Sequence, residues 1–382
     1  MKQVKLIFRV LLAAALLTGC GSSKNLLKQG NYYSAVMESI KQLRSSPENK
    51  KQQQVLLQAY PLAKEIGLRN IQKAMTMNLP DKYCISADEY ILLNQMADAV
   101  YSSPKALQLI PHPEHFGREL SEVAPLAAQE AYTLGENKLK LKTVQSARDA
   151  YFHFSKANEY VLGYRDVNSK MIEALEIGTL RVIVSKPITP QSYQLTADFF
   201  YNNLLSQIRQ ANSNDRFLRV YSENEAYNER LPKPDYYLVL DFNEFSVGNM
   251  RESKSTSQLR KDSVIVGTTT INGRSQNVYG TVKADITTYR REVIAQGTLS
   301  AKMVNAYNDR VEEHRNIPGK FVWVNEWASF NGDERALTDK QKKMAKSEPV
   351  MPPPQQELFV EFTRPILNQT VSFVRNFFGR FR

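Results

Sequence analysis

The hydrophobic period of this chain changes near Gly178, and that change constrains the fold more than any other feature. Before it, apolar residues recur at three- and four-residue spacing. Beyond it, stretches that alternate every second residue enter, with helical stripes between them. Such a chain must build a helical part followed by a strand-rich part, each around its own core. Its 382 residues match the length of about two domains. With 42% hydrophobic and 23% charged residues, the composition supports packed cores and argues against wholesale disorder.

In the helical part, 20–178, the stripe Ala35, Val36, Ile40 and Leu43 predicts a first helix, which Pro47 stops. A second runs from Asn49 past Ala59, Ala63 and Ile66. Others are predicted over 88–100, 114–134, 147–161 and 166–177, with Gly135 as a C-terminal cap. Two stretches resemble tetratricopeptide repeats. In one, Gly30-Asn31-Tyr32 precedes Ala35, and Pro47 opens a helix bearing Ala59 and Tyr60. In the other, Gly135 precedes a helix lined by Ala147, Phe154 and Ala157. The resemblance implies helix pairs with a concave binding face. His112-Pro113-Glu114-His115 brings two imidazoles close together. It lacks the helical His–Glu–x–x–His spacing and reads as a solvated helix start. His153 reads as a helix-face residue.

The second part, 179–382, predicts strands over 179–184, 217–221, 235–247, 278–289 and 292–305, with helices over 196–208 and 357–377. The stretch 321–328 alternates, which places Trp323 and Trp327 on one strand face as a candidate binding pair. Two insertions, near 248–262 and 331–356, read as mobile. The first carries Arg251, Lys254, Arg260 and Lys261. The second carries Lys340, Lys342, Lys343 and Lys346, then Pro352-Pro353-Pro354, which favours polyproline II. The expected fold class is α+β: a tetratricopeptide-like helical domain followed by a mixed-sheet α/β sandwich.

This strand and helix order resembles the periplasmic domains of outer-membrane lipoproteins. They include curli-secretion lipoproteins and LpoB-type activators of penicillin-binding proteins. The segment Pro234-Asp235-Tyr236-Tyr237-Leu238 carries the resemblance. The paired hairpins of the curli channel are not evident in the sequence.

The N-terminus points to the same compartment. Lys2, Lys5 and Arg9 precede an apolar run over 10–17 that is too short to span a bilayer unaided. Leu17-Thr18-Gly19-Cys20 then resembles the bacterial lipoprotein box. That family cleaves before the cysteine, making 1–19 the signal peptide, and acylates Cys20 with palmitate-class chains. Loss of 1–19 removes three positive charges and takes the net charge from +11 to +8. Gly21, where an inner-membrane lipoprotein carries Asp, implies the outer membrane. No acid in 21–25 implies the periplasmic face. In a Bacteroidetes-like source, Asp262-Ser263-Val264 resembles an O-glycosylation acceptor, which makes Ser263 a candidate glycosylation site.

No phosphate loop, dinucleotide-binding glycine motif or nucleophile elbow is present, and no Cys–His pairing remains once Cys20 is acylated. No catalytic residue, cofactor or metal ligand is therefore assigned. Asp333 and Glu334 are adjacent without a nucleophile, and read as a turn in which Arg335 pairs locally. The function expected is a non-enzymatic, lipid-anchored envelope scaffold. Its partners would be the membrane and envelope proteins, with no nucleic acid. The alternatives are a peptidoglycan-synthase regulator and a glycan- or peptide-acting hydrolase.

Overall fold

The computed structural model describes residues 23–189, 193–271 and 274–381, apart from the side chains of Asn243 and Phe245. Cys20 and the N-terminal segment 1–19, with the expectations placed on them, lie outside the described residues. The chain divides into two compact units, Met1–Gly178 and Thr179–Arg382.

The described part of the first unit is helical: α1 (Ser23–Lys28), α2 (Tyr32–Ser45), α3 (Lys50–Thr76), α4 (Lys82–Tyr101), α5 (Pro104–Leu109), α6 (Gly117–Leu139), α7 (Val144–Tyr160) and α8 (Val167–Gly178). Local chemistry explains the starts of α2, α3 and α7. Asn31 Oδ1 accepts from the Ser34 amide and Asn49 Oδ1 from the Gln52 amide, while Thr143 and Ser146 form a reciprocal capping box. Two cores follow. Val36, Ile40, Leu43, Leu56, Tyr60, Met96 and Val100 fill one; Tyr132, Ala147, Ala150, Phe154, Ala157 and Val167 fill the other.

Gly135 is not a helix cap. It lies inside α6, where an added Cβ would meet the Phe154 ring at 2.7 Å. The glycine admits the aromatic ring of the next helix.

Between α4, α6 and α7 lies a polar cluster. Asp88 accepts from Tyr160 Oη at 2.8 Å and from Lys156 Nζ at 2.9 Å, and Glu130 accepts from the Cys84 amide at 2.8 Å. Burial above all, then the neighbouring Glu130, pushes the Cys84 thiol above its ordinary pKa. Thiolate is the reactive form. Alkylation of Cys84 at pH 8 is therefore expected to be at least about tenfold slower in the native chain than in urea-unfolded chain. Equal rates, read by mass spectrometry of the Cys84 peptide, would refute this environment.

The second unit contains β1 (Leu180–Val184), α9 (Gln194–Ala211), β2 (Leu218–Ser222), α10 (Glu223–Asn228), β3 (Tyr236–Ile271), β4 (Arg274–Asn305), β5 (Val311–Gly332), α11 (Asp339–Ala345) and α12 (Gln355–Phe378). The sheet order is β2-β1-β3-β4-β5. β1 runs parallel to β2 and to β3; the remaining pairs are antiparallel. The parallel β1–β2 pair needs a crossover, which α9 supplies.

The strands differ from the sequence expectation in a consistent way. The segment 248–261 is not a loop but part of β3, paired residue by residue with β4 from Asn249↔Ile294 to Lys261↔Val282. Its Ser, Thr, Lys and Arg residues are solvent-facing strand positions rather than loop positions. The two strands expected over 278–289 and 292–305 are one strand, β4. Its buried apolar residues are Val282, Ala284 and Ile286 at one end and Val293, Ala295, Leu299, Ala301 and Met303 at the other. Even positions give way to odd ones, so the two ends bury opposite faces. The insertion 331–356 holds a 3-10 turn (Glu334–Ala336) and α11, which is capped by Thr338 and Gln341.

Helix α12 covers the odd face. Phe242, opposite Leu299, meets Phe359 and Phe362 edge-on, and Phe200 of α9 joins them. At Gly319, opposite Gly297, the helix backbone rests directly on β5. The even face is covered instead by Ala336, Leu337, Met344 and Ala345, over Val282, Ala284, Ile286 and Ala328. After α11 the chain passes Asn325 of β5, whose Oδ1 accepts from the Val350 amide at 3.0 Å, and reaches the α12 side.

Candidate binding surface

Both tryptophans lie on the odd face of β5. Trp323 stands opposite Val293, and Trp327 opposite Tyr289. The Trp327 and Tyr289 rings are stacked, with centroids 5.4 Å apart and planes within 5°. Tyr289 stands opposite Lys254 of β3, whose ammonium lies 5.7 Å from the tyrosine ring. One row, Lys254–Tyr289–Trp327, thus crosses three strands.

The neighbouring row is Glu252–Arg291–Asn325. The Arg291 guanidinium sits 5.3 Å over Trp327, and its Nε donates to Glu252 at 2.6 Å. Its Nη1 donates to the Val350 carbonyl at 2.8 Å. Arg291 is therefore spent on holding the 348–351 segment and the indole in place. Trp327 and Tyr289 remain half-buried, forming a flat platform edged by Lys254. The sequence pattern indicates the shared face of the two tryptophans. It gives no sign of Tyr289 and Lys254, which lie far away along the chain and reach the platform only through strand register.

Ser263 is exposed, with φ +59°, at a bulge of β3 between Lys261 and Val264. The neighbouring Asp262 carboxylate accepts from Thr281 Oγ1 at 2.6 Å and from Arg260 Nε at 3.0 Å.

Asp333 accepts from the Arg335 amide and from Arg335 Nε, both at 2.9 Å. This guanidinium holds the Asp333 carboxyl down at about 2. A group ionised to that pH has no proton to donate near neutrality. His115 Nε2 lies 3.6 Å from Asp98, and Glu114 pairs with Lys64. Among the described residues, no three His, Cys, Asp or Glu side chains converge as a metal site. No described helix is long and apolar enough to cross a membrane.

A second feature went unread in the sequence. A cavity of about 280 Å³ opens beyond the C-terminal ends of β1 and β2, lined by Lys186, Asp198, Tyr201, Asn202, Ser222 and Glu223. Lys186 Nζ lies 2.7 Å from Asp198 Oδ1, and Tyr201 Oη donates to the Val184 carbonyl at 2.8 Å. Ser222 Oγ donates to Glu225 at 2.8 Å, which resembles a nucleophile with its base. Glu225 is nevertheless held at about 2, first by Arg209 and then by the Ser222 amide. So acidic a carboxylate is a poor base, and the pair serves as the capping box of α10.

No protein family and no curated protein matches this chain.

Proposed function

We propose that this protein is a lipid-anchored accessory protein that scaffolds an assembly in the bacterial envelope. In this reading Cys20 carries the acyl chains at the periplasmic face of the outer membrane. The helix pairs α2–α3 and α6–α7 act as tetratricopeptide-like units that present binding faces.

The observation that carries the reading is the hairpin of β3 and β4. Past Val264 and Gly280 the two strands are paired, among the described residues, only with each other, and their described side chains are exposed. An isolated two-stranded ribbon is marginal in water. A chain that extends one beyond its own core gains little from it alone and much from a contact elsewhere. The Trp327 platform, set within the sheet where β3, β4 and β5 are all paired, adds a flat aromatic surface suited to a polypeptide partner.

The test removes 265–270 together with 275–279, which shortens both strands and keeps residues 271–274. Crosslinking in native membranes should then lose discrete complexes between this protein and envelope proteins, while the chain stays membrane-bound. Cys20→Ser should instead move the chain to the soluble fraction with its fold intact. An unchanged crosslinking profile in the shortened chain would overturn the scaffold reading.

A further inference from the structure

The hairpin also specifies what binds it. Away from β4, β3 pairs with β1 only over Tyr236–Leu238, and Asp241 makes one isolated bridge to Ile188. Beyond that point, no described strand lies against this edge of β3. Open edges are usually guarded by charges, proline or bulges. Here 263–281 carries one charge in nineteen residues, Arg274, in a chain of net charge +11. Two bulges do occur, at 261/264 and 265/267. Past them, pairing runs without interruption from Gly267↔Val278 to Ile271↔Arg274. A regular, uncharged, exposed edge of five residues remains: Gly267, Thr268, Thr269, Thr270 and Ile271.

We propose that 267–271 is a self-association site. A second copy of this chain adds antiparallel across a two-fold axis at Thr269, joining two ribbons into a four-stranded sheet. The proposal rests on the scaffold reading and names one partner within it.

Three observations select a second copy. The segment is self-complementary. Antiparallel pairing about Thr269 sets Thr268 opposite Thr270, Thr269 opposite itself and Gly267 opposite Ile271, so that threonine meets threonine at three successive positions. Charge also selects this register. Pairing centred on Ser257 would set Lys254 opposite Arg260 and Glu252 opposite Asp262, which like-charge repulsion disfavours. Centred on Thr269, those residues lie beyond the end of the partner strand. Finally, the ribbon suits water better than lipid. Gln276, Asn277 and Arg274 share its faces with the exposed Ile271 and Val278, and a lone ribbon in hydrocarbon would leave its edge amides unsatisfied.

The test uses the full chain in detergent micelles, with Cys20→Ser to leave Cys84 as its only native thiol. Adding Thr269→Cys should give a disulfide-linked dimer under mild oxidation at least about tenfold faster than Thr256→Cys, which lies on the same strand outside the site. Adding Thr268→Lys and Thr270→Lys to the Thr269→Cys chain should cut the rate at least about tenfold. An unaltered melting temperature shows that the lysines leave the fold intact. Equal rates at 269 and 256, or a rate that survives the lysines, would overturn self-association. Binding of the Thr269→Cys monomer to phosphatidylethanolamine vesicles without dimer formation would assign the tip to lipid and equally overturn it. If shortening the hairpin releases an envelope protein while Thr269→Cys fails to link, the scaffold reading stands and the second copy falls.

Discussion

Gly319→Val is expected to destabilise the C-terminal unit by about 3 kcal/mol or more, at the upper end of overpacking costs. A Cβ at this position would lie 2.3 Å from the Phe362 carbonyl oxygen and 2.7 Å from Ile366 Cγ1. The first of these atoms is helix backbone, which no rotamer change can move aside. All of α12 would have to lift from β5, and its buried residues Phe359, Phe362, Ile366, Phe373 and Phe377 would move with it. For a unit of this size the loss corresponds to a fall of roughly 6–12 °C in melting temperature. Gly319→Ala should shift stability in the same direction by less. A Gly319→Val chain that melts with the wild type would show that α12 does not rest on the strand backbone there.

Phe154→Ala should cost about 3–5 kcal/mol in the helical unit. The ring is fully buried, packs edge-on against Tyr132 at 5.4 Å, and fills the space left by Gly135. Because loss of an aromatic from any core is costly, a more specific measurement is the coupling between positions 135 and 154. Gly135→Ala in the wild-type chain forces a Cβ onto the Phe154 ring and should destabilise it. In a Phe154→Leu chain the ring is gone and the same change should stabilise by up to about 1 kcal/mol, since alanine is the better helix former. Equal effects in both backgrounds, in urea titrations, would mean that Gly135 is not there to admit the ring.

The candidate surface divides between what pattern reveals and what register decides. The spacing of four between Trp323 and Trp327 in an extended stretch marks them as residues of one face. Whether that face is a platform depends on Tyr289 stacking at 5° and on Arg291 and Lys254, contributed by two other strands. The cavity beyond β1 and β2 similarly draws its lining from two strand ends and two helices, with no local motif.

By itself, the sequence determined the division near Gly178, the helix start at Asn49 and the C-terminal helix over 357–377. These are local properties. A cap needs neighbours three residues away, and a stripe needs only its own period. Tertiary structure alone decided the continuity of β4, the extent of β3 and the role of Gly135. A strand signals itself by burying one face, and β4 changes its buried face midway because α12 covers one side and the α11 segment the other. Its alternation therefore breaks where the chain does not. In the hairpin neither face is buried, so Ser, Thr and Lys carry no hydrophobic alternation. Only backbone pairing with β4 makes those residues a strand.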